Sequence, residues 1–393
     1  MGASQQSGVA PGWMICLVGF GVACAVQISS PILALYVIDC LGGSIASVSI
    51  AVSAFGLASG VFKPAVNFLA RGRHSVHVFA AGLLIMTFSL IGYTLAWDPY
   101  SLMFFRAMHG LGFAFFLTLA VSLITFIVPA TQRNETLARF AATQALGLMA
   151  GPAIGTVSVV TLGVRHTFLL AATFAGISAA TGLVMSRMML RATTELQNIR
   201  FTIQEAKDVL SNRTFKIASF ALLSNFIVYS VLLAYAPIHA KSVFQFSEAG
   251  ITLLFFGYFA TTAGLRVLLG KLRHIRKERI LVYGLVNSFL TTLVIALSPS
   301  WLIFAVAFLL SGLTMGVIYP ISAMMVSEST DPSHLVLANS VYLVCGDVGS
   351  TIGPLITASI AVHGIRYAIG LASIFPMSAT AFVLHMSQGG LSK

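Results

Sequence analysis

Four ionisable side chains stand deep inside long apolar runs: Lys63, Arg106, Arg266 and Asp347. A charge at the centre of hydrocarbon costs roughly 2.5–3.5 kcal/mol even on lenient insertion scales, so each needs a partner or a purpose. Asp347 is the acid placed farthest from either end of its run. A carboxyl shielded from water, with a cation nearby, can exchange its proton in step with a conformational cycle, which makes Asp347 the candidate proton carrier. The competing structural reading is that it caps backbone loosened by Pro354 or pairs permanently with one cation. Arg106 cannot shed its proton and must find an acceptor. His109, one helical turn further on, is a candidate relay, or else a hydrogen-bonded packing residue. Lys63 and Arg266 come about 18 residues into their runs, close enough to the far end for their long stems to snorkel. Their corresponding places also allow a paired anion site.

Gln27, Asn225, Tyr229, Tyr319 and Tyr342 are polar groups that hydrocarbon penalises, so they are expected to face a central cavity or another helix. Cys16, Cys24, Cys40 and Cys345 lie far apart or in apolar runs and suggest neither a disulfide framework nor a metal site. No HExxH, GxSxG or phosphate-binding loop occurs. The expectation is therefore a protein that is not an enzyme and that uses no metal and no cofactor.

Helices must carry these residues, because a composition of 58 % hydrophobic and 8 % charged residues cannot clothe a water-exposed surface. A membrane-crossing helix needs about 20 mostly apolar residues. By that measure spans are expected near 13–38, 45–69, 76–96, 101–128, 137–161 and 165–189, and again near 215–238, 246–270, 279–298, 301–326, 337–362 and 364–387. The first run is too long for a signal-peptide core and reads as a retained span. With the N-terminus inside, Arg165, Lys241 and Arg366 are the only Lys or Arg on the outer side, against a heavily basic inner side. The positive-inside rule then places both termini in the cytoplasm of a prokaryotic cell and its net charge of +11 calls for no nucleic acid. The polar stretch 190–214 reads as a cytoplasmic linker between 1–189 and 215–393. Thr202–Glu205 resembles a capping box there, and Ile199, Ile203, Ala206 and Leu210 recur at helical spacing, so an amphipathic helix on the membrane surface is expected.

The two halves repeat. A slide of 202 residues superposes Gly151-Pro152 on Gly353-Pro354, Gly147 on Gly349 and Gly110 on Gly312. Two homologous six-helix halves have an axis between them, and a site on that axis can face either side as the halves rock, which is the physical basis for expecting a transporter. The glycines allow close helix approach, and mid-span Pro152 and Pro354 allow bending.

Arg106-Ala107-Met108-His109-Gly110-Leu111-Gly112 is similar to the span-four motif of the major facilitator superfamily, Arg followed by Gly-x-Gly. Gly147-x-x-x-Gly151-Pro152-x-x-Gly155 resembles that family's span-five antiporter motif, associated with proton-coupled drug and metabolite exporters. The resemblance covers essentially the whole chain. It implies an all-α membrane protein of 12 transmembrane helices in two pseudo-symmetric six-helix bundles, with spans one, four, seven and ten lining the cavity. The loop after span two departs from the family pattern: Asn67 to His74 keeps a basic tail but has no Asp, and Gly270 to His274 lacks one as well.

The expected function is secondary active transport of a small organic solute by alternating access, as proton-coupled efflux from a monomer in the inner membrane. The alternative is organic-anion transport, by uptake or exchange, using the intramembrane cations. A membrane sensor or enzyme is a remote third.

Overall fold

The computed structural model describes residues 12–69, 74–128, 130–192, 203–269, 275–331 and 334–388. The loops after span 2 (70–73) and after span 8 (270–274), where the family's Asp is missing from the sequence, lie outside the described residues.

Every regular element described is helical. Span 1 runs Gly12–Ser29, then Leu33–Leu35 and a π turn Tyr36–Cys40. It breaks at Pro31, whose ring lacks an N–H and crowds the carbonyl four residues back. Spans 2 to 4 are Ile45–Leu69, His74–Leu95 and Pro99–Ile127. Span 4 starts sharply because Asp98 accepts a 2.7 Å bond from the Ser101 amide and Pro99 opens the first turn. That hydrogen bond favours the charged carboxylate and holds Asp98 below the usual carboxylate range.

Spans 5 and 6 are 133–162 and 164–192, joined at Gly163, whose φ of 78° lies in the left-handed region where a side chain would be strained. After the linker helix, Ile203–Ser211, come span 7 (Arg213–Phe244), span 8 (Glu248–Leu269), span 9 (Lys277–Leu297), span 10 (Trp301–Ser329) and span 11 (Leu335–Ala361). Span 12 is split into Ile365–Ala372 and Ile374–Gln388, just ahead of Pro376. Among the described residues, eleven helices are long and apolar enough to cross a membrane, and the longest, bent at Gly163, supplies two spans, so the expected twelve are accounted for. Span 7 continues about two turns past its expected end at 238, since Pro237 is accommodated inside the helix and Gln245, with φ of 58°, closes it instead.

The Gly12 end of span 1, the Gln388 end of span 12 and the linker helix Ile203–Ser211 lie on one side, here called the linker end. The short-loop end carries 40–45, 96–98 and Gly163. Within the first six spans, span 1 packs on the 133–192 hairpin and span 4 on spans 2 and 3. Within the last six, spans 7 and 9 pack on spans 11 and 10 respectively. Between the two sets, span 2 meets span 11 and span 5 meets span 8.

Glycine packing repeats in register. A Cβ on Gly110 would lie 2.2 Å from the Phe55 carbonyl oxygen, and one on Gly312 2.2 Å from that of Tyr258. Gly147 and Gly349 stand likewise against the carbonyls of Phe20 and Leu223, and Gly151 and Gly353 against Cys24 and Ile227. The glycine-bearing spans 4 and 5 map onto spans 10 and 11 by a shift of 202, whereas the spans they touch, 1 and 2, map onto 7 and 8 by 203. Gly112 packs as tightly, its Cβ position 2.6 Å from the Gly82 carbonyl oxygen; Gly155 is looser, at 3.6 Å from that of Ile28.

The linker helix departs from the expected stripe. Val209 is buried in the core of the second helix set while Leu210 is 49 % exposed, so the helix is anchored on protein through its neighbour. Ile199 and Thr202 lie outside the described residues. Of the cysteines read as small core residues, Cys16 and Cys24 are buried, but Cys40 is exposed.

Gly110→Ala and Gly312→Ala are each expected to lower stability by about 1–3 kcal/mol, because backbone rather than a flexible side chain meets the added methyl. Gly176→Ala, whose Cβ would rest 3.7 Å from Thr87 Cγ2, serves as the neutral control. Thermal unfolding of the detergent-purified protein measures both.

Candidate functional site

Bonds between the two helix sets form a series from the short-loop end to mid-span. At that end the Lys241 ammonium of span 7 crosses the sets to Asp39, at the close of span 1, over 3.0 Å, and within its own set donates to Glu248, at the start of span 8, over 2.6 Å. Asp39 and Glu248, which helix-end solvation would explain, are therefore also bridged. Deeper, the Tyr235 hydroxyl of span 7 lies 2.8 Å from the Ser49 hydroxyl of span 2 and, within its own helix set, donates to the Pro354 carbonyl at 3.0 Å. Ser53 donates to the Thr351 carbonyl at 2.7 Å, and the hydroxyls of Thr156 and Thr252 stand 2.9 Å apart. At mid-span the Gln27 amide donates to the Tyr229 hydroxyl at 3.3 Å.

The series ends at a buried ion pair. Lys63 Nζ lies 2.6 Å from Asp347 Oδ2, with the lysine side chain 4 % exposed. This corrects the snorkelling reading: Lys63 is not at a solvated helix end but bridges span 2 to span 11. Gly60 makes room, since its Cβ position is 3.1 Å from the Asp347 Cβ. Charges this close in a medium of low dielectric attract strongly, and the attraction counters part of the cost of removing both from water.

Arg106 is placed apart from Asp347. Its Nε donates to the Ala51 carbonyl at 3.3 Å, an Nη to the Tyr93 hydroxyl at 3.2 Å, and its guanidinium lies 4.9 Å from the centre of the Phe55 ring. The acceptor required by the sequence is thus a carbonyl and a phenol, not a carboxylate. Tyr93 stands 2.8 Å from His109 Nδ1, while His109 Nε2 is buried with no hydrogen-bond partner. Phe55 also touches His109 and Phe113, and Phe113 lies under the Lys63 ammonium at 5.9 Å. An aromatic bridge therefore runs between the Arg106 cluster and the ion pair.

The remaining candidates divide. Tyr229 stacks near Tyr258, ring centres 6.0 Å apart, and is within electrostatic reach of Arg106. Tyr319 carries the Arg266 guanidinium 5.9 Å from its ring centre. Asn225 is buried and donates to the Met315 sulfur at 3.3 Å. Tyr342 is 1 % exposed, lies 2.6 Å from the Ser322 hydroxyl and donates to the Tyr319 carbonyl, so it packs spans 10 and 11 together rather than facing an open cavity.

Sequence reasoning missed Tyr93, Tyr235, Tyr258 and Phe55. The three tyrosines carried the same signal as Tyr229, a hydroxyl in an apolar run, but two of them stand on spans 3 and 8, outside the four expected to line the cavity. Among the described residues no group of three His, Cys, Asp or Glu is placed to hold a metal.

Comparison with known proteins agrees with this architecture. The sequence profile described as the Major Facilitator Superfamily matches residues 15–296 and 218–387. The chain is 24 % identical over 339 residues to the multi-drug resistance efflux pump PmrA of Streptococcus pneumoniae serotype 4, covering 83 % of each chain. It is 23 % identical over 175 residues to the MFS-type transporter ppzB of Metarhizium majus; that match covers 43 % of this chain and spans only 37 % of the fungal protein. Among solved structures, a bacterial homologue of the human lysosomal transporter Spinster, in an inward-facing and unoccupied conformation, superposes with a TM-score of 0.75 at 14 % identity, over 97 % of both chains.

Lys63→Met and Asp347→Asn are expected to destabilise singly by more than their double mutant implies, with a coupling of about 0.5–3 kcal/mol, since each single change leaves a buried group without its counterpart. A double-mutant cycle on unfolding midpoints reads this out, and simple additivity would show the pair to be energetically silent.

Proposed function

The chain belongs to the Major Facilitator Superfamily, an integral membrane transporter rather than an enzyme, and from that premise we propose that it exports a small organic solute in exchange for protons by alternating access. The observation that carries this reading is the Lys63–Asp347 ion pair, buried at the contact between the two helix sets. A proton arriving on Asp347 cancels its charge and removes the attraction that ties span 2 to span 11; its departure restores the tie. Proton occupancy and the packing of the two halves are thereby linked, and coupling requires such a link.

The other bonds between the halves, Lys241–Asp39, Tyr235–Ser49, Ser53–Thr351 and Gln27–Tyr229, cluster toward the short-loop end. With the basic loops and termini in the cytoplasm, this arrangement has its outer side fastened and rocks to open outward. The efflux pump from S. pneumoniae supports the outward direction of net transport. Arg106, tied to the Ala51 carbonyl and to Tyr93, positions the His109 relay beside the Phe55–Phe113 bridge. The protein works as a monomer in the inner membrane, with lipid, solute and protons as its partners.

Two outcomes are expected in proteoliposomes. Asp347→Asn transports down a solute gradient but does not respond to an imposed pH gradient; unaltered gradient-driven flux in this variant removes Asp347 from the coupling step. Arg106→Lys loses at least about tenfold in rate, because a point charge cannot replace a forked donor that reaches two acceptors. Initial rates with and without the gradient measure both.

A further inference from the structure

Repeat symmetry exposes a vacancy in the charge pattern. Shifts of 203 for span 2 onto span 8 and 202 for span 5 onto span 11, the same shifts that align the glycine contacts, make Arg266 the counterpart of Lys63 and Ala145 the counterpart of Asp347. The span 2–span 11 and span 5–span 8 contacts are thus the two equivalent interfaces of the molecule. One holds a cation and its acid. The other holds a cation and an alanine.

Arg266 shows the consequence. Among the described residues it has no ion pair, and its Nε is buried with no hydrogen-bond partner. Guanidinium cannot lose its proton, so a shielded and unpaired Arg266 remains a standing demand for an anion. Its surroundings are phenolic: Tyr319 underlies it at 5.9 Å, and Tyr258 and Tyr319 are within its electrostatic reach. Tyr258 leads to Tyr229 at 6.0 Å and so to Gln27 of span 1, whose Oε1 is also buried without a partner. A forked cation beside a row of ring faces suits a carboxylate borne on a flat apolar body, the carboxylate pairing in two-pronged fashion and the rings stacking on the body.

We propose that Arg266 and the face of span 5 at Ala145 form a carboxylate-binding half-site, and that the transported solute is an aryl monocarboxylate whose anionic group takes the place Asp347 occupies at Lys63. This inference rests on the reading of the chain as a solute transporter, and it specifies the solute's charge and shape. Coupling stays with the occupied interface and recognition falls to the vacant one.

The test is ligand-induced thermal stabilisation of the full chain in detergent, using 2-naphthoate, its neutral amide 2-naphthamide and the cation 2-naphthylmethylammonium as probes. The carboxylate is expected to raise the unfolding midpoint in a saturable way, with the amide and the cation at least tenfold weaker. Arg266→Gln abolishes the effect, and Arg266→Lys weakens it about tenfold. Ala145→Asp supplies the missing acid internally and abolishes the effect without removing the arginine, which keeps the test decisive where Arg266→Gln fails to fold. No stabilisation by 2-naphthoate, equal stabilisation by the cation, or stabilisation that survives Ala145→Asp overturns the proposal. Because no ion gradient is applied, loss of proton-driven flux elsewhere leaves this result standing. Proton-driven flux of an uncharged or cationic solute with no naphthoate binding sinks the half-site alone.

Discussion

A charge in hydrocarbon must be answered, and the architecture of this protein follows from how its few intramembrane charges are answered. Asp347 is met by Lys63 at 2.6 Å across the contact between two helix sets, so an attraction between opposite charges in the membrane interior joins one set to the other. Arg106 is met differently, by a carbonyl, a phenol and a ring face, all within the first six spans. Its charge is held inside one rigid set, whereas the charge of Asp347 is shared between two. Arg106 is thus answered within one helix set and Asp347 across two.

Close approach makes the pair possible. Gly60 stands against the Asp347 side chain and Gly56 against the Asp347 carbonyl, so spans 2 and 11 come near enough for Lys63 to reach across. In lipid, where apolar side chains gain little by leaving their surroundings, such backbone proximity and interhelical hydrogen bonds supply the association. Each half repeats the device internally: Gly110 on Phe55, Gly147 on Phe20 and Gly151 on Cys24 have their images at Gly312, Gly349 and Gly353. Two closely packed halves with a polar seam between them are the arrangement that the proposed rocking calls for.

In the proposed carboxylate half-site, specificity comes from a departure from symmetry. Three packing glycines, Gly110, Gly147 and Gly151, recur at a constant offset, yet the acid of one interface has no image in the other, and Lys63 is matched by Arg266. Two equivalent interfaces therefore hold different electrostatics. One is internally neutralised and the other is positive and lined by tyrosine. A membrane-buried site with a standing charge selects the opposite charge in its ligand, because any other occupant leaves the guanidinium unanswered.

Composition and the length of the apolar runs were enough to determine a twelve-helix membrane protein, since only helices satisfy their own backbone in hydrocarbon. The 202-residue repeat of Gly-Pro pairs was legible as well, and so was the importance of Asp347, because an acid so far from any helix end has no trivial explanation. Which cation answered it was not legible: Lys63 and Arg106 were both within conceivable reach, and the choice depended on how span 2 crosses span 11. Likewise Tyr342 and Tyr229 read alike as hydroxyls in apolar runs, but tertiary packing buried one against Ser322 and set the other between Gln27 and Tyr258. A one-dimensional pattern determines which groups hydrocarbon will not tolerate alone. The partner each receives depends on helix rotation and crossing, and these are decided by contacts between residues as much as 298 positions apart.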